Sequence, residues 1–112
     1  MKLIIAIIQP SKVEAVKEAL NKVEVFRLTM IDCRGFGRQK GRSEIYRGHE
    51  YTIDLLPKMK VEIVIPDARL DEVLRAMTAA ARSGKIGDGK IFISDVSDAV
   101  RIRNDDRGEA AL

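Results

Sequence analysis

The spacing of apolar residues along the chain predicts four strands and two helices. A continuous apolar run of strand length covers residues 3–8, as expected for a strand buried on both faces, and segments rich in apolar residues predict strands at 58–65 and 90–96. A further strand is predicted at 27–35, where the sequence reads RLTMIDCRG. Between these runs the apolar residues recur three and four positions apart, which is the period of an amphipathic helix.

Each predicted helix begins close to a proline. In the first, Ser11 and Glu14 follow Pro10 with the spacing of a capping box. In the second, Asp67 follows Pro66 as the expected N-cap, and Ser83-Gly84 ends the helix. The predicted apolar faces consist of Val13, Val16, Leu20 and Val23 in the first helix, and Leu70, Val73, Leu74, Met77 and Ala81 in the second.

The order of these elements predicts an α+β protein with a ferredoxin-like βαββαβ sandwich. Residues 35–57, between strands 2 and 3, show little periodicity and many charges, so we expect a long loop there. Right-handed crossovers place both helices on one face of the sheet. The other face would carry apolar residues of the first and third strands, and we expect a closed homo-oligomer to cover it.

Composition limits the chain to one globular domain, covering residues 1–112. It is 46% hydrophobic and 33% charged, unlike a disordered protein. The apolar start is too short to span a bilayer, and the single cysteine, Cys33, fits a reducing cytoplasm. The net charge of +3, with its basic excess between residues 34 and 51, is compatible with a polyanionic partner.

A glycine- and lysine-rich segment at 84–90 is the strongest chemical signal. Gly84, Gly89 and Lys90 match the phosphate-binding pattern G-x-x-x-x-G-K, but Ile91 stands where Ser or Thr would bind magnesium. The segment also follows a helix and precedes a strand, which reverses the usual order. Its backbone N–H groups could converge on an anion, helped by the charges of Lys85 and Lys90. The pattern therefore indicates nucleotide binding rather than hydrolysis.

The tail from residue 98 alternates apolar and basic residues. If it is extended, Arg101 and Arg103 project from the same face. Arginine side chains suit phosphate oxygens through bidentate contacts. Together with Arg38 and the 84–90 segment, they form a set of cations matched to a triphosphate.

Two other functions remain open from the residues alone. An ATP-hydrolysing or phosphate-transferring enzyme is weakened by Ile91 and by the lack of an evident general base, since the only histidine, His49, has no catalytic partners around it. An RNA-binding module would share the element order, and residues 34–37 (RGFG) match the start of its sheet signature. The match then fails at positions that require aromatic residues, and aromatics make up only 4% of the chain.

Two longer motifs carry a family resemblance: GFGRQKG at 35–41 leading into YRGHEY at 46–51, and SGKIGDGKIF at 83–92. With them the chain resembles the PII nitrogen-regulatory signal proteins over its whole length. The resemblance implies a cytoplasmic, non-enzymatic homotrimer that binds ATP or ADP in each cleft between subunits. The nucleotide contacts that it implies are Ile7, Thr29, Gly35, Gly37, Arg38, Val64, Gly87, Asp88, Gly89, Lys90, Arg101 and Arg103.

The resemblance also implies an effector site and an output. Gln39 and Lys58 would bind 2-oxoglutarate, which bridges to a Mg²⁺ held by Gln39 and the ATP phosphates. Tyr51 occupies the position that is uridylylated in part of the family, and His49 stands where the family motif carries Ala or Ser. The implied segments are an effector loop at about 37–55, a nucleotide loop at about 83–90 and a C-terminal segment at about 98–112.

The implied partners are an ammonium transporter and enzymes or regulators of nitrogen metabolism. Membrane contact is expected only through such a transporter. No nucleic-acid partner is expected.

Overall fold

The computed structural model describes residues 1–37, 42–46, 49–53 and 55–112, with the two short middle ranges described as backbone only. The four strands and two helices predicted from the sequence are all present, and the strand bounds lie within two residues of the predicted ones. The elements are β1 (Lys2–Ile8), α1 (Val13–Lys22), β2 (Thr29–Gly35), β3 (Arg42–Tyr46), β4 (His49–Ile53), β5 (Leu56–Ile65), α2 (Leu70–Ala81) and β6 (Gly89–Asp95).

Four of the strands form one antiparallel sheet in the order β2-β5-β1-β6. The central strand β1 pairs Ile4 with Ile63 of β5 on one side and with Ile93 of β6 on the other. The edge strand β2 pairs with β5 and places Cys33 opposite Lys58. This order confirms the predicted α+β, ferredoxin-like βαββαβ arrangement.

The hydrophobic core lies between this sheet and the two helices. Helix α1 contributes Val16 and Leu20, and α2 contributes Val73 and Met77, all at most 1% exposed. The predicted apolar faces of both helices are therefore confirmed. The sheet side of the core consists of Ile4, Ala6, Ile8, Val61, Ile63 and Ile65.

The opposite face of the sheet, called here the open face, is also largely apolar. Strand residues alternate between the two faces, so Leu3, Ile5 and Ile7 of β1 lie on the open face. Phe92, the partner of Ile5 in β6, is 56% exposed, and Ile31 of β2 is 40% exposed. A second apolar face without a covering helix is what the sequence predicted.

The predicted side-chain caps at the helix starts were wrong. Pro10–Lys12 and Asp67–Arg69 are 3-10 turns that lead into α1 and α2, and within the described chain no side-chain hydrogen bond caps any of these starts. Each turn closes through backbone instead: Lys12 N–H donates to the carbonyl of Gln9 at 3.0 Å. Asp67 pairs with the Met1 ammonium at 2.9 Å, and this hydrogen bond lowers the pKa of its carboxyl.

The prediction of an unstructured loop throughout 35–57 was also wrong in part. Strands β3 and β4 form a separate two-stranded antiparallel sheet, with Tyr46 opposite His49 and Glu44 opposite Tyr51. This sheet does not join the four-stranded one. A hairpin outside the main sheet has no need of a core-facing apolar side, so its strands lack the alternation by which strands are recognised.

The C-terminal segment is folded back rather than extended, contrary to the expectation for Arg101 and Arg103. Val100 and Arg107 form an isolated antiparallel bridge, and residues 102–104 turn between them. The Arg101 N–H donates to the carbonyl of Asp106 at 2.9 Å. Two arginine–aspartate pairs close this structure, Arg101 with Asp106 and Arg107 with Asp98, so a period-2 pattern here did not mean a strand.

None of the helices in the described ranges combines the length and apolar character needed to cross a membrane.

Candidate functional site

A cleft of about 500 Å³ opens where the end of the open face meets the glycine- and lysine-rich loop. Its floor comes from Ile7 of β1 and Phe92 of β6, and one wall comes from the end of β2. Of the predicted nucleotide contacts, the cleft brings together Ile7, Gly35, Gly37, Gly87, Asp88, Gly89 and Lys90. The predicted effector residue Lys58 lines it as well. Segments far apart in sequence therefore share one cavity.

The loop takes a shape that only glycine tolerates at its closest approach to the sheet. Gly89 has a φ of 101°, and a Cβ atom built on it would lie 1.7 Å from the carbonyl oxygen of Ile7. Gly84 and Gly87 also have positive φ values, of 85° and 104°. The glycines predicted from the motif are therefore required by the backbone itself.

Asp88 holds the first half of the loop in place by binding the residues at its start, Ser83 and Gly84. Its carboxylate accepts hydrogen bonds from the N–H groups of Ser83 at 2.8 Å and Gly84 at 2.9 Å, and from the Ser83 hydroxyl. The Ser83 hydroxyl and then these backbone N–H groups hold the pKa of the Asp88 carboxyl below its ordinary value of 3.8. The Lys85 N–H donates to the Ser83 hydroxyl oxygen at 3.2 Å.

These contacts correct the expectation that the loop amides act as one anion-binding group. The N–H groups of Ser83, Gly84 and Lys85 are directed into the loop. Any anion held by successive backbone amides must therefore contact the part of the loop that follows Lys85.

Lys58 contacts the second half of the loop, the part that follows Lys85, at Gly87. It is only 8% exposed, and its ammonium donates to the carbonyl oxygen of Gly87 at 3.0 Å. The absence of a side chain at Gly35 makes room for the Lys58 stem, because a Cβ built there would lie 3.3 Å from Lys58 Cγ. Sequence reasoning missed this contact. The sequence signal was weak, because Lys58 is a lysine near the start of a strand that also carries the charged residues Lys60 and Glu62.

Two further predicted nucleotide contacts, Thr29 and Val64, lie at the opposite end of the open face. They line a second hollow of about 530 Å³ together with Leu3, Glu62 and Leu112. Leu3 of β1 lines the second hollow and Ile7 of β1 lines the cleft. These two residues are four positions apart, which corresponds to about 13 Å along a strand. A single chain therefore holds two separate groups of the predicted nucleotide residues.

The C-terminal segment packs beside this second hollow. Arg101 donates to Asp106 at 3.2 Å and to the carbonyl of Ala110 at 2.9 Å. Arg27, two residues before β2, donates to the Leu112 carbonyl at 2.6 Å. Arg103 is exposed in the turn. Arg101 and Arg103 thus belong to the Thr29 side of the molecule rather than to the loop side.

Glu62 is a lining residue that the sequence did not single out. Its carboxylate pairs with Lys60 at 3.4 Å, as expected for a surface ion pair, but it also lines the second hollow. Arg38 and Gln39 lie outside the described residues. Within the described ranges, no group of three or more His, Cys, Asp or Glu side chains is placed to hold a metal ion.

Comparison with known proteins identifies the family of this chain. A family model described as nitrogen regulatory protein P-II matches residues 1–106. The chain is 51% identical to nitrogen regulatory protein P-II of Rhodobacter capsulatus and 49% identical to nitrogen regulatory protein GlnK of Escherichia coli (strain K12). Each of these matches covers 100% of both chains. The chain therefore belongs to the P-II family of nitrogen regulatory proteins.

The matched relatives are named as regulatory proteins rather than enzymes, which is consistent with a regulatory role for this chain.

Proposed function

We propose that this protein is a homotrimeric sensor that binds ATP or ADP together with 2-oxoglutarate between its subunits. It regulates proteins of nitrogen metabolism through its long loop. This gives a nitrogen regulatory protein a way to respond to carbon, nitrogen and energy status.

The single observation that carries this proposal is the cleft at the end of the open face. There the positive-φ glycine loop, Lys90 and the end of β2 converge on a cavity of about 500 Å³ with an apolar floor. A cavity of this size suits a small ligand. An apolar floor beside a lysine and a glycine-rich loop matches a flat base joined to phosphates.

The trimer is supported by the division of the predicted contacts between the two ends of the open face. Gly87 and Lys90 lie at one end, while Thr29 and Val64 lie at the other. Cyclic assembly would bring the loop end of one subunit against the Thr29 end of the next, completing a nucleotide site at each junction. It would also cover exposed apolar side chains such as Phe92 and Ile31.

The effector proposal rests on Lys58, whose ammonium can pair with a carboxylate. A Mg²⁺ ion would be held by ATP phosphate oxygens and Gln39, because the ion prefers oxygen ligands and retains waters. The Asp88 carboxylate is already engaged by Ser83 and Gly84, which fits an ion held mainly by its ligand's oxygens. The Mg²⁺ ion would partly neutralise the negative charges of the phosphates and of 2-oxoglutarate, and so reduce the repulsion between them.

The output is assigned to the segment that contains β3 and β4. We propose that ligand binding changes its preferred conformation and thereby the choice of partner, an ammonium transporter or enzymes and regulators of nitrogen metabolism. Tyr51, in β4 opposite Glu44, is the proposed uridylylation site. The proposed location is the cytoplasm, with membrane contact through a transporter partner.

Calorimetric titration with ATP, ADP and 2-oxoglutarate tests the ligand proposal. We expect ATP and ADP to bind without a partner protein, and 2-oxoglutarate to bind tightly only when Mg-ATP is present. Light scattering should give a mass three times the 12.5 kDa of one chain. A monomer in solution, or 2-oxoglutarate binding that is equally tight without nucleotide, would contradict the proposed arrangement.

A further inference from the structure

One buried cation, Lys58, contacts the nucleotide loop. Within residues 1–37 and 55–112, Lys58 is the only polar or charged side chain that is buried. Its ammonium donates to the Gly87 carbonyl at 3.0 Å. A buried charge is costly unless it is hydrogen-bonded, so this contact helps to offset the cost of burying the ammonium.

The position of Lys58 is fixed by the sheet rather than by the loop. It lies in β5 opposite Cys33 of β2, inside the antiparallel register of these strands. Its stem passes the backbone of Gly35 so closely that a methyl group there would approach Lys58 Cγ to 3.3 Å. The pairing of β5 with β2 therefore fixes the direction from which the Lys58 ammonium approaches the loop.

The two halves of the loop are held by different residues. Asp88 binds Ser83 and Gly84 and so closes the first half. Gly87 belongs to the second half, has a φ of 104° and accepts the Lys58 hydrogen bond. A glycine in this conformation loses much freedom on ordering. A hydrogen bond from a charged donor contributes more than a neutral one and can offset that cost.

We propose that Lys58 is a positioning residue for the nucleotide loop, and not only a contact for the effector. It holds Gly87 through its hydrogen bond, so nucleotide affinity depends on Lys58 even when no effector is present. An anion that pairs with Lys58 then acts on the group that anchors the loop. This inference rests on the proposed function and adds a direct physical link between its two ligand sites.

The test compares Lys58→Met, which keeps a long side chain but removes the ammonium, with the control Lys17→Met. Lys17 lies on the exposed side of α1, 3.5 Å from Glu14 and away from the loop. Hydrogen–deuterium exchange of ligand-free protein should become about 10-fold faster in residues 84–90 of Lys58→Met, and unchanged in β1. The Kd for ATP without 2-oxoglutarate should rise by about 10-fold.

The exchange measurement separates positioning from simple loss of charge. Removing a positive charge would weaken nucleotide binding through electrostatics alone, but it would not loosen a loop that has no ligand. Unchanged exchange in residues 84–90 of folded Lys58→Met would overturn the inference. If wild-type protein failed to bind ATP, the proposed function would be refuted, while the exchange comparison would still test the loop anchor.

A second variant keeps the test decisive if Lys58→Met does not fold. Gly35→Ala retains the ammonium but crowds Lys58 Cγ, so we expect a smaller rise in exchange confined to the same loop. No change in the loop of Gly35→Ala would then count against the anchor.

Discussion

Gly89 lies so close to the backbone of Ile7 that a Cβ atom would be 1.7 Å from the Ile7 carbonyl oxygen. Ile8, the next residue, is the register partner of Gly89, so the approach is imposed by pairing of β1 with β6. The lysine that follows, Lys90, is Ile7's own partner. The same contact thus joins sheet and loop and sets the direction in which the loop enters the cleft.

Gly89→Ala should destabilise the protein by about 3 kcal/mol or more, because it combines backbone strain with overlap against main-chain atoms that cannot rotate away. Gly84→Ala is the matched control: φ is 85° there, but nothing lies within 4 Å of the added atom. It should cost only about 1 kcal/mol. Urea unfolding of both variants measures the difference, and equal losses would contradict a steric role for Ile7.

Asp88→Asn should loosen the start of the loop. The lowered pKa of Asp88 means that its ionised form stabilises the folded loop at pH values above the ordinary 3.8. That contribution is lost as the pH falls through the lowered folded-state pKa. In wild-type protein, amide exchange at Ser83 and Gly84, corrected for its intrinsic pH dependence, should therefore show weaker protection on acidification.

Asp105→Asn provides the control for Asp88→Asn, since it removes the same charge at an exposed position outside the loop. Its loop protection should follow the wild-type pH profile. In Asp88→Asn the acid-dependent change in protection should be absent, and a wild-type profile there would exclude Asp88 as the group responsible.

Lys90→Ala should weaken ATP binding by roughly 10- to 100-fold, because one charged contact to phosphate is lost. Lys90 is exposed at the rim of the cleft, so its replacement should leave the fold intact. Calorimetry gives the affinity, and Lys17→Ala provides a control for loss of one positive charge. Unchanged ATP affinity would remove Lys90 from the site.

Mixed trimers should recover nucleotide sites that neither of two variants possesses alone. Lys90→Ala affects the loop end of a subunit, and Arg103→Glu affects the exposed C-terminal turn at the other end. After co-refolding, each mixed trimer contains one junction in which Lys90 and Arg103 are both intact. Tight ATP binding should therefore reappear in the mixture, and its failure to do so would argue against sites shared between neighbouring subunits.

The sequence was informative where burial alone dictated the pattern. The helical spacing of Val73 and Met77 predicted α2, because both residues face the core. The continuous run in β1 predicted a strand with two apolar faces, with Ile4 in the core and Ile7 on the open face. Prediction failed where polar contacts decided the outcome. The C-terminal alternation places Arg101 and Arg103 on one face only if the segment is extended, whereas Arg101 and Asp106 close a turn.

The sequence predicted which segments form the site, but not the contacts between them. Glycine spacing identified the loop, because positions with positive φ strongly favour glycine. The Lys58 contact with Gly87 joins residues 29 positions apart and depends on how the start of β5 lies beside the loop. Contacts of this kind follow from the sheet register, which periodicity alone does not determine.

Strand β1 has no side on which mutations can accumulate without consequence. Ile4, Ala6 and Ile8 are at most 3% exposed in the core, while Ile7 on the reverse side forms part of the cleft floor. In a saturation-mutagenesis screen, polar replacements at Ile4 should deplete the folded protein. Those at Ile7 should instead yield abundant protein that fails to signal.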